Sequence, residues 1–336
     1  MQMIDPALFA PRAIDPETAA FAAALEAQLA DLPATHELAI AATRRARAEG
    51  KGIFPLGGPA EGSVWAEPGE DPPAPALRLS LPDAAPRGIY LHIHGGGWTF
   101  NRPEYYDIPN QRIARDTGLA VASVRYRLAP EHRWPAPLQD VLAGIAQARA
   151  RWPGQPLAIG GESAGAHLAA AALLALRAEG RLAGVAGAVL NYGMYDLRMT
   201  ASMANWGARK LILSTPTVAW FVANLLGPAE GSPAAGSPAG DSRSEGGTPP
   251  DDPAVSPLLA DLAGMPPALF QIGTLDPLLD DSLMLAARWS AAGAAAELAV
   301  YPGGVHAFDA FKLAIAEAFR ARQSAFLTRL FSASAK

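Results

Sequence analysis

Leu157-Ala158-Ile159-Gly160-Gly161-Glu162-Ser163-Ala164-Gly165-Ala166-His167-Leu168 sets an apolar run of strand length against an Ala-rich helical run, with a serine at the junction. A serine held on a sharp strand-to-helix turn needs a small residue two positions to either side, because a side chain there would collide with the neighbouring strand or helix. Gly161 and Gly165 meet that need. The turn lifts the Ser163 hydroxyl above the carboxyl end of a sheet and points the following N–H groups the same way.

Working outward, apolar runs of strand length recur at Ile89–His94, Val121–Tyr126, Leu157–Gly160, Ala188–Asn191, Ala268–Gly273 and Glu297–Tyr301. Segments with helical spacing alternate with them: Tyr105–Thr117, Leu138–Trp152, Ala164–Leu176, Pro277–Ala292 and Ala307–Leu330. Strands alternating with helices predict an α/β fold, a mostly parallel central sheet with helices on both faces. Continuous apolar strands such as Leu157–Ile159 fit burial on both sides. Weaker runs at Ser63–Glu67 and Leu77–Leu81 add antiparallel strands at the N-terminal edge.

Two regions break this rhythm. Residues 1–50 are Ala-rich and helical in pattern (Phe21–Leu32, Glu37–Glu49), and 197–226 hold Trp206, Trp220 and Phe221 without a strand signal. Both read as helical additions packed together as a cap. Gly227–Pro253 is dense in Gly and Pro and repeats Gly-Ser-Pro-Ala at Gly231–Ala234 and Gly236–Ala239, so it reads as a disordered insert with almost nothing to bury. The expected division is therefore 1–50 cap, 51–196 core, 197–226 cap, 227–253 insert and 254–336 core.

Composition narrows the chemistry. Of 336 residues 50% are hydrophobic and 18% charged, enough for a large core. The net charge is −5 with no basic block, which argues against nucleic acid and anionic membranes as partners. With no cysteine, thiolate metal sites, iron–sulfur clusters and a cysteine nucleophile are excluded. Met1–Pro11 lacks the pattern of a signal peptide, and Ala164–Leu176 is too short to cross a bilayer, which takes about 20 residues. A cytoplasmic protein without membrane anchoring is the expectation.

A serine hydroxyl needs a base, and the base a carboxylate to orient it. On a strand-serine-helix elbow the chain order is serine, acid, histidine. Only His167 and His306 follow Ser163. His167 lies on the helix that starts at the serine, whereas His306 sits in the loop Pro302–His306 after a strand, so His306 is read as the base. Asp276 comes first after the preceding strand, ahead of Pro277, and is read as the orienting acid. Asp280 and Asp281 fall in the first turn of the next helix, where carboxylates suit the helix dipole.

His94-Gly95-Gly96-Gly97-Trp98 follows the strand Ile89–His94 and offers bare N–H groups to a ligand. An ester hydrolase needs such donors for the oxyanion of its tetrahedral intermediate. Gly95 and Gly96 are the expected donors, joined by Ala164. No Gly-x-Gly-x-x-Gly or Walker lysine accompanies the glycines, so phosphate binding is the weaker reading. Trp98, Trp206, Trp220 and Phe221 are candidates to line a substrate pocket, with ordinary core packing as the alternative.

These elements resemble the hormone-sensitive-lipase-like family of α/β-hydrolase esterases, from about Ile89 to His306. Tyr126-Arg127-Leu128-Ala129-Pro130-Glu131-His132 and Ala254-Val255-Ser256-Pro257-Leu258 are similar to further motifs of that family. The resemblance implies hydrolysis of carboxylic esters beneath a helical cap, with no cofactor and no metal; small, short-acyl esters are expected because the sequence shows no long exposed apolar lid. It also implies that Glu131 and His132 support the nucleophile loop. Glu162 stands where the family often has Asp, Ala166 where a second Gly is common, Arg125 where Asp is frequent, and Ala307 where Gly is usual. Glu162 is expected to hold the turn through hydrogen bonds. Gly161–Leu168 is also similar to aryl-formamidases, which leaves amide cleavage open beside ester cleavage. A non-catalytic receptor on the same fold would have lost the base. Homodimerisation through the last strand or helix fits the resemblance and is left open by the residues.

Overall fold

The computed structural model describes residues 4–66, 75–227 and 247–333. Most of the insert 227–253 therefore lies outside the described residues. The strands are β1 Ser63–Trp65, β2 Leu77–Ser80, β3 Ile89–Ile93, β4 Ala120–Val124, β5 Leu157–Glu162, β6 Val185–Asn191, β7 Ala268–Leu275 and β8 Ala296–Val305. The helices that matter for the site are α1 Pro16–Ala30, α2 Ile40–Ala48, α3 Asp107–Thr117, α4 Ala136–Arg151, α5 Ala164–Ala178, α6 Ala201–Ala204, α7 Thr215–Leu226, α8 Leu279–Ala291 and α9 Ala314–Ala333.

The strands form one sheet in the order β1-β2-β4-β3-β5-β6-β7-β8. Pairing is parallel from β4 through β8, and β2 runs against both β1 and β4. Successive strand residues point to opposite faces, so a strand covered on both sides must be apolar throughout. Tyr90, Val121, Ala158, Val189 and Leu269 pack on one face with α3 and α9. Their neighbours Leu91, Ala122, Ile159, Leu190 and Phe270 pack on the other, with α4, α5 and α8. That alternation turns the near-continuous apolar runs of the sequence into two cores.

Two expected boundaries move. Strand β8 continues through Pro302, Gly303 and Gly304 to Val305, because Val305 still pairs with Leu275 of β7 beyond an irregularity. His306 thus leaves a strand end directly instead of sitting in a five-residue loop. The helix expected from Ala307 begins at Ala314, since Ala307 takes left-handed φ 57° and a short 3-10 turn follows at Phe308–Ala310. Among the described residues no helix is long and apolar enough to cross a membrane.

The N-terminal helices and the 197–226 region meet over the carboxyl edge of the sheet. Helix α1 starts at Pro16, with the Asp15 carboxylate accepting from the Thr18 N–H at 2.9 Å, and buries Ala22 and Leu25 against Val305 and Phe308. Arg209 donates to both carboxylate oxygens of Glu26 at 2.6 and 2.8 Å. Lys210 donates to the carbonyls of Ala30 and Leu32, and His36 Nδ1 lies 3.0 Å from Thr217 Oγ1.

Candidate active site

Ser163 sits between β5 and α5 with φ 55° and ψ −117°, a conformation that side-chain-bearing residues rarely adopt. Its neighbours enforce it. A Cβ at Gly161 or at Gly165 would overlap the carbonyl oxygen of Ile93, so both glycines are required by close approach of the adjacent strand. The Ser163 N–H donates to the Asn191 carbonyl at 2.9 Å, which ties the turn to β6.

Three strand ends converge here. His306 Nε2 lies 2.9 Å from Ser163 Oγ, and His306 Nδ1 lies 2.8 Å from Asp276 Oδ2. Since the carboxylate can only accept, Nδ1 carries the proton and Nε2 is left to accept from the serine hydroxyl. Asp276 Oδ1 accepts from the Leu278 N–H at 2.9 Å, so the same side chain also holds the start of α8. Asp276 and His306 are buried, and Tyr192 meets the imidazole edge-to-face at 5.1 Å. The serine, the base and the acid expected from the sequence are thus within hydrogen-bond reach of one another.

His167, the other histidine after the serine, is engaged elsewhere. Its Nδ1 accepts from Trp98 Nε1 at 3.1 Å, so its Nε2 carries the proton and donates to the Val255 carbonyl at 2.7 Å. Burial pushes its pKa down to about 4. Asp281 does not merely face the helix dipole. It is buried, accepts from the N–H groups of Tyr195 and Asp196 and from the Thr200 hydroxyl, and burial raises its pKa to about 7. Asp280 accepts from the Ser202 N–H at 2.7 Å, so this acidic pair anchors the 195–202 segment to α8.

Gly95 packs directly on the elbow: a Cβ there would come within 2.7 Å of the Glu162 carbonyl oxygen. Glu162 itself accepts from His92 Nε2 at 2.8 Å, and His92 Nδ1 lies 2.7 Å from Ser123 Oγ. Glu162 therefore ties the turn to β3 and β4 through a buried histidine that sequence reasoning overlooked. The Tyr126–His132 stretch buttresses the glycine loop more than the nucleophile loop. Tyr126 donates to the His94 carbonyl at 2.9 Å, and the two carboxylate oxygens of Glu131 accept from Nη1 and Nη2 of Arg44 at 2.7 and 2.9 Å.

Above Ser163 lies a cavity of about 890 Å³, lined by the glycine loop, Ser163, Ala164 and His306 together with residues of both cap regions. Trp98 and Phe221 line it. Trp206 and Trp220 do not. Trp206 turns its indole N–H to the carbonyls of Arg209 and Leu213, while the Trp220 ring packs against Phe100 and Phe221. Helical spacing of aromatics could not separate the ring that faces inward from those packing within the cap. Leu213, Val218 and the α2 residues Ala42 and Ala46 line it instead; only their membership of the cap segments pointed to them.

Residues 90–310 match the family model described as the alpha/beta hydrolase fold. The chain is 32% identical over 253 residues to the carboxylic ester hydrolase LipN of Mycobacterium tuberculosis, covering 72% of this chain and 62% of that protein. It is 31% identical over 225 residues to an ethyl acetate hydrolase of Pseudomonas putida, covering 65% of each. The chain thus spans just under two thirds of the length of these two relatives. A hormone-sensitive lipase from a metagenome library superposes with a TM-score of 0.78 at 25% identity, covering 95% of this chain and 99% of that one. With its elbow, strand order and motifs in agreement, the chain belongs to the alpha/beta hydrolase fold family, in its hormone-sensitive-lipase-like branch.

Proposed function

We propose that the protein hydrolyses small carboxylic esters through Ser163, His306 and Asp276. The reading is carried by one observation: the hydrogen-bonded chain Ser163 Oγ, His306 Nε2 and Nδ1, Asp276 Oδ2 opens onto the cavity beneath the cap. Ser163 Oγ attacks the ester carbonyl while His306 Nε2 takes its proton. Asp276 steadies the imidazolium that results. The carbonyl oxygen becomes an oxyanion, received by the N–H groups of Gly95, Gly96 and Ala164, all of which border the cavity. Ala164 is the first residue of α5, where the N–H has no partner within the helix. Collapse of the intermediate expels the alcohol with the proton from His306 and leaves an acyl group on Ser163. Water, deprotonated by the same imidazole, then releases the acid and restores the serine.

Short acyl chains are the proposed substrates. The cavity falls within the range of small-molecule sites, about 300–1,000 Å³, and the Pseudomonas putida relative is named for ethyl acetate. A p-nitrophenyl ester series from acetate upward tests this, with activity expected to peak well below the dodecanoate. A peak at dodecanoate or beyond would refute the chain-length reading. Faster cleavage of an N-formyl anilide than of any ester at equal concentration would replace ester by amide chemistry.

A further inference from the structure

The oxyanion loop receives support from the cap as well as from the core. Helix α2 sends two arginines onto it. Arg44 Nε donates to the Thr99 carbonyl at 3.0 Å, and Arg47, whose guanidinium lies 4.6 Å over the Phe100 ring, donates from Nη1 to Asn101 Oδ1 at 2.8 Å. A guanidinium only donates, so the Asn101 oxygen must face Arg47 and the amide NH₂ must face the loop. There it donates to the Gly95 carbonyl at 3.3 Å and to the Tyr106 hydroxyl at 3.4 Å. A second donor holds the same carbonyl, His94 Nδ1 at 2.9 Å. His94 is buried and its pKa is pushed down to about 3, so the ring is neutral and its one proton sits on Nδ1.

The Gly95 carbonyl and the Gly96 N–H are two ends of one planar trans peptide and point in opposite directions. Fixing the oxygen therefore fixes the direction of the N–H. The carbonyl has two donors, whereas the Gly96 N–H has no acceptor among the described residues. Glycine on both sides of this peptide leaves it free to rotate unless something outside holds it. Asn101 stands at left-handed φ 72°, a conformation that asparagine tolerates better than most residues. The backbone there places the amide between the cap arginine and the peptide.

We propose that Asn101 is a positioning residue for the Gly96 oxyanion donor and that Arg47 of the cap holds Asn101 in that role. Docking of α2 on the loop and orientation of the donor are then one event, because the relay Arg47, Asn101, Gly95 carbonyl runs in series. The inference deepens the esterase reading and rests on it for its kinetic consequence.

Asn101→Gly keeps the left-handed backbone at ease and deletes the amide, while Arg47→Met keeps an apolar stem on Phe100 and deletes the donor. Loss of a whole oxyanion donor costs roughly 10²–10³ in rate, so a misaligned one is expected to lower kcat about tenfold with KM unchanged in each variant. In the double variant the loss should equal that of the stronger single variant, since elements in series do not add. Glu26→Gln loosens the cap at its far clasp and should leave kcat close to wild type. An unchanged kcat, a loss confined to KM, multiplicative losses in the double variant, or the same kcat loss in Glu26→Gln would each overturn the inference. A crystal structure of Asn101→Gly separates this from the esterase reading. The Gly95–Gly96 peptide is expected rotated or in two orientations. If it superposes on the wild type, the inference falls whether or not the chain hydrolyses esters. If it rotates but the wild-type protein turns over no ester, the esterase reading falls instead.

Discussion

The carboxyl edge of the sheet and the cap above it meet at one cavity, yet they are built by different means. At the edge, Ser163, Asp276 and His306 leave the ends of buried strands, and the groups around them are held by short hydrogen bonds among buried atoms. The cap regions share apolar contacts of Ala22 and Leu25 with Leu211, but their ion pairs, Arg209–Glu26 within the cap and Arg44–Glu131 to the core, lie partly in solvent. Burial makes the edge stiff and intolerant. Exposure leaves these ion pairs with small individual strength. On the proposed mechanism the contrast gives chemistry to the edge and, apart from the Arg47 contact to the oxyanion loop, substrate fit to the cap.

Substitutions at the edge should give the largest effects. His306→Ala is expected to lower kcat roughly 10⁶-fold and Asp276→Asn roughly 10⁴-fold, with the fold intact by circular dichroism. A loss of tenfold or less at His306 would break the comparison at its root.

Stability should also respond to pH mainly through the edge. His94 and His167 have folded pKa values of about 3 and about 4, lowered by burial, against an ordinary value of about 6.5. Between those limits the unfolded chain binds more protons, so their contribution is complete above about pH 6.5 and is lost as the pH falls toward 3–4. Asp281 has the opposite sign: its raised pKa favours the folded state at low pH, and that advantage declines as the pH rises from about 4 to about 7. Asp309, whose pKa burial raises to about 6, acts in the same sense as Asp281, so two carboxylates oppose the two histidines. Denaturant midpoints should therefore change little between pH 7 and pH 5, and in His167→Gln, where the carboxylates are left in excess, the midpoint should be higher at pH 5 than at pH 7.

Apart from Arg47, which reaches the oxyanion loop through Asn101, changes in the cap should alter preference more than rate. Phe221→Ala removes a ring lining the cavity beside Gly97 and should raise the kcat/KM ratio of octanoate to acetate roughly tenfold, while Trp206→Ala should move it less than about twofold. Equal shifts from both would mean that the inward and outward aromatics are not distinct. The smallest effect is expected at the far clasp, where Glu26→Gln should cost about 0.2–1 kcal/mol of stability in a thermal melt.

The same contrast explains what could be read from the sequence. Gly161, Ser163 and Gly165 follow from steric necessity at a strand-to-helix turn, and chain order then picks out His306 and Asp276. Strand ends were harder to place. Pro302, Gly303 and Gly304 suggest a loop, but pairing with β7 keeps them in β8. The pocket was harder still, since Trp206, Trp220 and Phe221 occur on neighbouring helical segments and only tertiary packing decides which ring faces the cavity. His92 escaped notice because its partners Glu162 and Ser123 come from two other strands, far apart in sequence.

The central claim is that Ser163 is the group that becomes acylated, and covalent labelling tests it most directly. Incubation with a fluorophosphonate followed by peptide mass spectrometry should give near-stoichiometric modification of Ser163 in the wild-type protein and none in Ser163→Ala. An unlabelled wild-type protein, or equal labelling of Ser163→Ala, would contradict the account.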